Sequence, residues 1–102
     1  MCIMEEARKV FNLDFSEALL AAKDGYKIAR SGWNGKNQYV VMMPALYLEA
    51  GMVNGRTRKY IGEETPLDSQ PYFALMNAQG KWQPGWCPSQ GDLFANDWCI
   101  VK

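Results

Sequence analysis

The chain contains no histidine, and its 102 residues include only three cysteines, Cys2, Cys87 and Cys99. Without His, the side chain most often used for proton transfer near neutral pH is missing. An odd number of thiols, with no Cys-x-x-Cys spacing and no His beside them, supplies no ligand set for zinc. Reduced, packed thiols are therefore expected. An excess of either charge is also missing: Lys plus Arg and Asp plus Glu both number 11. A nucleic-acid clamp draws its affinity from neutralised phosphates, so a polymeric nucleic acid is an unsuitable partner. One small anionic ligand in a local pocket stays compatible. No apolar run approaches the ~18–20 residues that span a bilayer. The opening "MCIMEEARKVFNL" carries acids where a signal peptide carries bases. The expectation is a cytoplasmic protein with no membrane partner. The glycine-rich phosphate loop, the dinucleotide fingerprint and the nucleophile elbow are all missing from the sequence. A catalyst would have to work with Asp, Glu, Lys, Tyr or Cys, and no spacing gathers these, so neither an enzyme nor a bound cofactor is expected.

At 102 residues the chain fits one domain, 1–102. Residues 1–12 read as an extension, with a short helix from Ile3 to Lys9. In "LDFSEALLAAKDGYK", Asp14 and Glu17 have the spacing of a capping box. Phe15, Ala18, Leu19 and Ala22 form an apolar stripe at helical spacing, and Gly25 stands where a left-handed residue ends a helix. A helix over 15–24 is predicted. "YKIAR" reads as a short strand, and "QYVVMMPALYL" as another with a break or bulge at Pro44. Residues 49–70 are turn-rich, and Asn54-Gly55 is a hairpin signal. Arg56, Arg58 and Lys59 beside it read as a solvated hairpin tip or as a loop that grips phosphate. "PYFALMNAQGKWQPGW" gives two strands about Ala78-Gln79-Gly80. Ser89 and Asp92 then cap a second short helix that Asn96-Asp97 ends, and "WCIVK" closes the chain as a strand. The fold class is α+β: a small, mostly antiparallel sheet with an N-terminal helix and a short C-terminal helix.

Four Trp, five Tyr and four Phe are more rings than so small a core can hide. Trp33 stands in the turn "SGWNG". It is either folded back as a lid or offered to something flat, and Gly32 and Gly35 allow close approach of backbone. Trp98 is either a core anchor or a second ring of a pocket. Beside them stand the amide of Asn34 and the carboxylate of Asp97. A ring with adjacent polar groups suits a nucleobase and its sugar. If Trp33 offers a face in this way, its truncation leaves the fold nearly intact.

"DFSEALLAAKDGYKIARSGWNGKNQYV" and "WCPSQGDLFANDWCIV" together resemble the opening and closing motifs of the small phage and prophage Thoeris anti-defence type 2 family, over roughly residues 13–43 and 71–101. The resemblance implies a protein that binds and sequesters a cyclic ADP-ribose isomer, the immune signal of a TIR-domain enzyme, without cleaving it. It also implies a homotetramer with ligand pockets between protomers. The matching positions are Trp33, Asn34 and Gly35 in the turn, and Trp86, Ser89, Gln90, Asp92, Ala95, Asp97 and Trp98 in the closing motif. Carried over, Trp33 becomes the adenine-stacking face, with Asn34, Asp92 and Asp97 on hydroxyls and base edges. Tyr39 is added from its place after the turn, and Ser89, Gln90 and Trp98 complete the candidate site. Three other readings stand beside this one. They are a module for another cyclic nucleotide or oligonucleotide signal of CBASS type, a hydrolase using Asp92 and Asp97 as acid and base, and a non-catalytic phage interaction protein.

Overall fold

The computed structural model describes residues 9–101. In chain order it contains α1 (Phe15–Lys23), β1 (Lys27–Arg30), β2 (Tyr39–Met43), β3 (Leu46–Leu48), a 3₁₀ turn (Ala50–Met52), α2 (Gly55–Ile61), β4 (Leu67–Ser69), β5 (Tyr72–Met76), β6 (Trp82–Pro84), α3 (Gln90–Leu93) and β7 (Trp98–Val101). The expected helix from Ile3 lies outside the described residues save for Lys9, which is not helical. The chain forms two compact units, one made up to Met42 and from Phe73 onward, the other from Met43–Tyr72. The fold is α+β, as the sequence predicts. Among the described residues no helix is long and apolar enough to cross a membrane.

The first unit is a five-stranded sheet in the order β6-β5-β2-β1-β7. β1 is antiparallel to both its neighbours, with Ile28 opposite Val40 on one side and Ile100 on the other, and Arg30 opposite Trp98. The period of two therefore sends Ile28, Val40 and Ile100 to one face. α1 covers that face over β1 and β7 with Ala18, Ala21 and Ala22, all buried. Alanines bring the helix axis close to the sheet, and Leu13, Leu75 and Trp98 complete the core. Phe15 and Leu19, which the stripe predicted as core, are half-buried. The capping box is formed: the Asp14 carboxylate accepts from Glu17 N at 2.8 Å, and the Glu17 carboxylate accepts from Asp14 N at 2.9 Å. The helix stops at Lys23, and Gly25 takes the left-handed φ of 93°. α3 also carries a capping box, between Ser89 and Asp92, and it ends at Leu93, ahead of the Asn96-Asp97 pair expected to end it.

The second unit pairs β3 with β4 in an antiparallel ribbon, Leu46 opposite Ser69 and Leu48 opposite Leu67, with Val53 buried. Pro44 does more than bulge a strand, because β2 and β3 on its two sides belong to separate sheets. The Asn54-Gly55 hairpin is corrected. Asn54 is extended and its side-chain oxygen accepts from Thr57 N at 2.9 Å, so the pair opens α2. Asn is as good an N-cap as it is a turn residue. Arg58 is turned onto its own unit, donating from Nη2 to the Val53 carbonyl at 2.7 Å and weakly to that of Gly51 at 3.4 Å. It works as a brace within the unit, which leaves the phosphate-gripping loop without its central cation.

Trp98 is fully buried, and its indole Nε1 donates to the Asp92 carbonyl at 2.8 Å. Trp98→Ala is expected to cost about 3–5 kcal/mol of unfolding free energy. Trp98→Phe keeps part of the ring volume and should lose about 1–3 kcal/mol, chiefly by removing the shortest hydrogen bond to the Asp92 carbonyl. Urea denaturation of both variants checks the order and the size of the two losses.

Candidate functional site

All the predicted site residues belong to the first unit. β1 ends at Arg30, the chain turns through Ser31–Asn34, and Trp33 folds back onto the core. Its ring meets Trp98 edge-on at 5.4 Å between centroids and Trp86 at 6.1 Å. Trp86 in turn stands edge-on to Trp98 at 6.4 Å and to Phe73 at 5.8 Å. Such T-shaped pairs set the positive edge of one ring against the negative face of the next. Trp33 remains half-buried. The expectation that its truncation leaves the fold nearly intact is corrected, since the ring is part of the aromatic packing.

What remains open of Trp33 borders a cleft of about 210 Å³, lined by Trp33, Asn34, Gly35, Gln38, Leu75 and Trp86. Indole surface, two side-chain amides and one aliphatic side chain make up the lining, and none of these carries a charge. The close approach that the glycines permit is also visible. A Cβ on Gly32 would stand 2.7 Å from Asp97 Oδ2, and one on Gly35 would collide with the Gln38 amide.

Behind the indoles lies an ionic network. Arg30 Nε donates to Asp97 Oδ1 at 2.8 Å, and Arg30 Nη1 donates to Asp92 Oδ1 at 2.9 Å. Asp92 Oδ1 also accepts from Trp33 Nε1 at 3.2 Å, while its Oδ2 accepts from Ser89 N at 2.9 Å. Asp97 Oδ2 accepts from Gly32 N at 2.9 Å. The Arg30 hydrogen bond holds the Asp97 carboxyl below the ordinary carboxylate range against its partial burial. Burial pushes the Asp92 carboxyl up, but hydrogen bonds from the Ser89 backbone, Arg30 and Trp33 together outweigh it and leave the group lowered as well. The two carboxylates in turn raise the Arg30 guanidinium further above its usual value, Asp97 most strongly.

The structure thus brings Trp33, Asn34 and Gly35 together at the cleft and puts other predicted residues elsewhere. Asp92 is buried and Asp97 half-buried, and both are committed to the network, so neither lines the cleft. Ser89 serves the α3 cap, and Gln90 is exposed at the start of α3. Trp98 is a core anchor. Tyr39 stands edge-on to Trp82 at 5.9 Å with Lys27 Nζ 4.6 Å from its ring centre, away from the cleft lining. The sequence reading missed Arg30 and Gln38. Arg30 had one signal, a cation that ends a strand just before the turn. Of the cysteines expected to be packed, Cys87 is exposed, Cys99 is half-buried and Cys2 lies outside the described residues.

A family model described as a Thoeris anti-defense 2-like domain matches residues 13–101. The chain belongs to that family. It is similar to a protein named Thoeris anti-defense 2 from Bacillus phage SP01, with 38% identity over 92 residues, covering 88% of this chain and 96% of the relative. The family match begins at Leu13, the residue whose N–H and carbonyl pair with Trp98 at 2.9 and 3.1 Å. It starts three residues after Val10, whose carbonyl accepts from Ile100 N of β7 at 3.0 Å, and it includes the whole second unit.

Both carboxyls of the network titrate lower in the folded chain than in an unfolded one, where an Asp titrates near about 3.9. Their contribution to stability is present above that value and is lost as the pH falls through their lower folded values. Unfolding free energy measured by urea denaturation from about pH 5 down to about pH 2 should therefore fall with acid. Asp97→Asn should flatten that acid limb, and slopes equal to the wild type's would remove Asp97 from the linkage.

Proposed function

We propose that the protein is a phage anti-defence protein that binds a cyclic ADP-ribose-type signal of Thoeris immunity and holds it uncleaved, so that the defence effector stays unswitched. Family membership and the relative's name support the anti-defence role. The observation that carries the ligand reading is the cleft. Two indoles and two amides, with no charge among them, suit the flat base and the sugar hydroxyls of a nucleotide, and stacking on one ring is worth about 1–3 kcal/mol. Small-molecule sites usually run to about 300–1,000 Å³, and this cleft has about 210 Å³. One copy of the chain therefore encloses part of such a ligand. On this reading a second copy facing it encloses the rest, and the homotetramer with pockets between protomers is carried over from the family resemblance alone. Retention without cleavage is supported by the state of the carboxylates. Asp92 and Asp97 are ion-paired to Arg30 and held below the ordinary range, whereas a general acid or base works best with its pKa near the ambient pH.

The test is a thermal-shift panel of cyclic ADP-ribose isomers and cyclic di- and trinucleotides, with light scattering of the free protein. A ligand at 100 times its dissociation constant should add about 2.7 kcal/mol of apparent stability. The bound isomer should return chemically intact after denaturation. Asn34→Ala, at an exposed position, should change stability by no more than about 0.5 kcal/mol and weaken binding about fivefold, the loss of one hydrogen bond. A clean monomer that binds none of the panel would sink the proposal, and a response confined to cyclic oligonucleotides would reassign the ligand.

A further inference from the structure

We infer that Arg30, which does not line the cleft, is the residue that positions it: one guanidinium grips Asp92 and Asp97 together and through them fixes the Gly32–Trp33 turn that forms one wall.

The turn has few other anchors. Ser31 N donates to the Asp97 carbonyl at 3.0 Å, and Trp33 N makes a longer bond to the Arg30 carbonyl at 3.3 Å. The other two bonds, Gly32 N to Asp97 Oδ2 and Trp33 Nε1 to Asp92 Oδ1, end on the carboxylates that Arg30 holds. Asp92 fixes the rotation of the indole, and Asp97 fixes the backbone one residue before it. Arg30 Nε and Nη1 take one carboxylate each, 2.8 and 2.9 Å away. The two acids belong to different segments, α3 and the residue just before β7. A single planar fork thus sets the distance between them, which no side chain lining the cleft does.

Removing the guanidinium leaves two carboxylates without their cation, and Asp92 is only 8% exposed. A buried carboxylate that loses its partner must turn toward water or take up a proton; the first breaks the bond to the Trp33 indole and the second replaces a charged acceptor with a weaker neutral one. Lysine cannot stand in. Its ammonium is one point charge, and it lacks the fork needed for two acids at fixed separation. Gly32 offers a second route to the same network, because a Cβ there stands 2.7 Å from Asp97 Oδ2 and presses that carboxylate off its partners without removing a charge.

A salt bridge that only stabilised the fold would affect Trp33 and Trp98 alike. The two indoles are internal controls for each other, since Trp33 Nε1 donates to the Asp92 side chain and Trp98 Nε1 donates to the Asp92 backbone carbonyl. The experiment is hydrogen exchange of the indole N–H signals in the full-length ¹⁵N-labelled protein, assigned with Trp33→Phe. It is run on wild type, Arg30→Met, Arg30→Lys and Gly32→Ala. Exchange at Trp33 should be about 10- to 100-fold faster in all three variants, the range opened by losing a bond to a charged group. Trp98 should stay protected. Titration with the cyclic ADP-ribose isomer that a TIR-domain enzyme makes should show binding weakened about tenfold or more by each variant, Arg30→Lys included. Two outcomes would overturn the inference: a protected Trp33 indole in the variants, or full affinity despite a released indole. If Arg30→Met fails to fold, Arg30→Lys and Gly32→Ala carry the same test. The affinity arm rests on the ligand reading above, whereas the exchange arm does not. A wild type that binds no isomer removes that reading, and the positioning role is then decided by the exchange rates.

Discussion

The carboxylate of Asp92 receives hydrogen bonds from three separate places: the N-cap of α3, the end of β1 and the turn that follows β1. Its own backbone carbonyl receives a fourth, from the buried indole of Trp98. An acid this buried is tolerated only when its charge is opposed and its lone pairs are used. The demand runs in both directions. Asp92 needs Arg30, Ser89 and Trp33 around it, and those groups are drawn to one point because Asp92 is there. The short α3 gains from the same arrangement. A helix of four residues has too few hydrogen bonds to persist alone, but its cap acid is also the anchor of the neighbouring network.

What was legible in the sequence was local. Asp14 with Glu17, and Ser89 with Asp92, are acids three residues beyond a capping residue, and both pairs form the reciprocal bonds that this spacing allows. Strand periodicity about Ile28, and the turn closed by Gly80 at φ 77°, depend on near neighbours in the same way. Asn54-Gly55 misled because one dipeptide suits two structures. Asn opens a helix as readily as it turns a hairpin, and the residues that follow it, RTRKYI, continue as a helix. Arg30 was illegible for a different reason. Its partners lie 62 and 67 residues away along the chain. No pattern of spacing links an arginine at a strand end to one acid within a later helix and another just past it. Asp92 and Asp97, expected on ligand hydroxyls, are both paired with Arg30 within the unit.

Trp33 is folded back onto the core and still open at the cleft. Its edge contacts with Trp86 and Trp98 and its indole bond tie one side of the ring into the core, and the remainder borders the cleft. Packing and the cleft wall therefore share one side chain, so a loss of binding on truncating Trp33 would not by itself identify a ligand contact. Asn34 and Gln38 separate the two roles better, since their amides border the cleft and neither belongs to the core cluster.

With Arg30 consumed by Asp92 and Asp97, the cleft presents stacking surfaces and amides where a phosphate site would present cations. This follows the same balance as the chain as a whole, whose acids and bases are equal in number. A neutral site has little long-range field with which to draw in an anionic ligand, so electrostatic steering adds little to the association rate. On the proposed function, the protein must nevertheless outcompete an effector for a scarce signal. With the association rate unassisted, that advantage has to lie in slow release. Slow release in turn requires walls that do not relax while the ligand is bound. A turn clamped by two carboxylates on one guanidinium supplies such a wall, which gives a physical reason for placing the strongest charges of the site behind the aromatic surface.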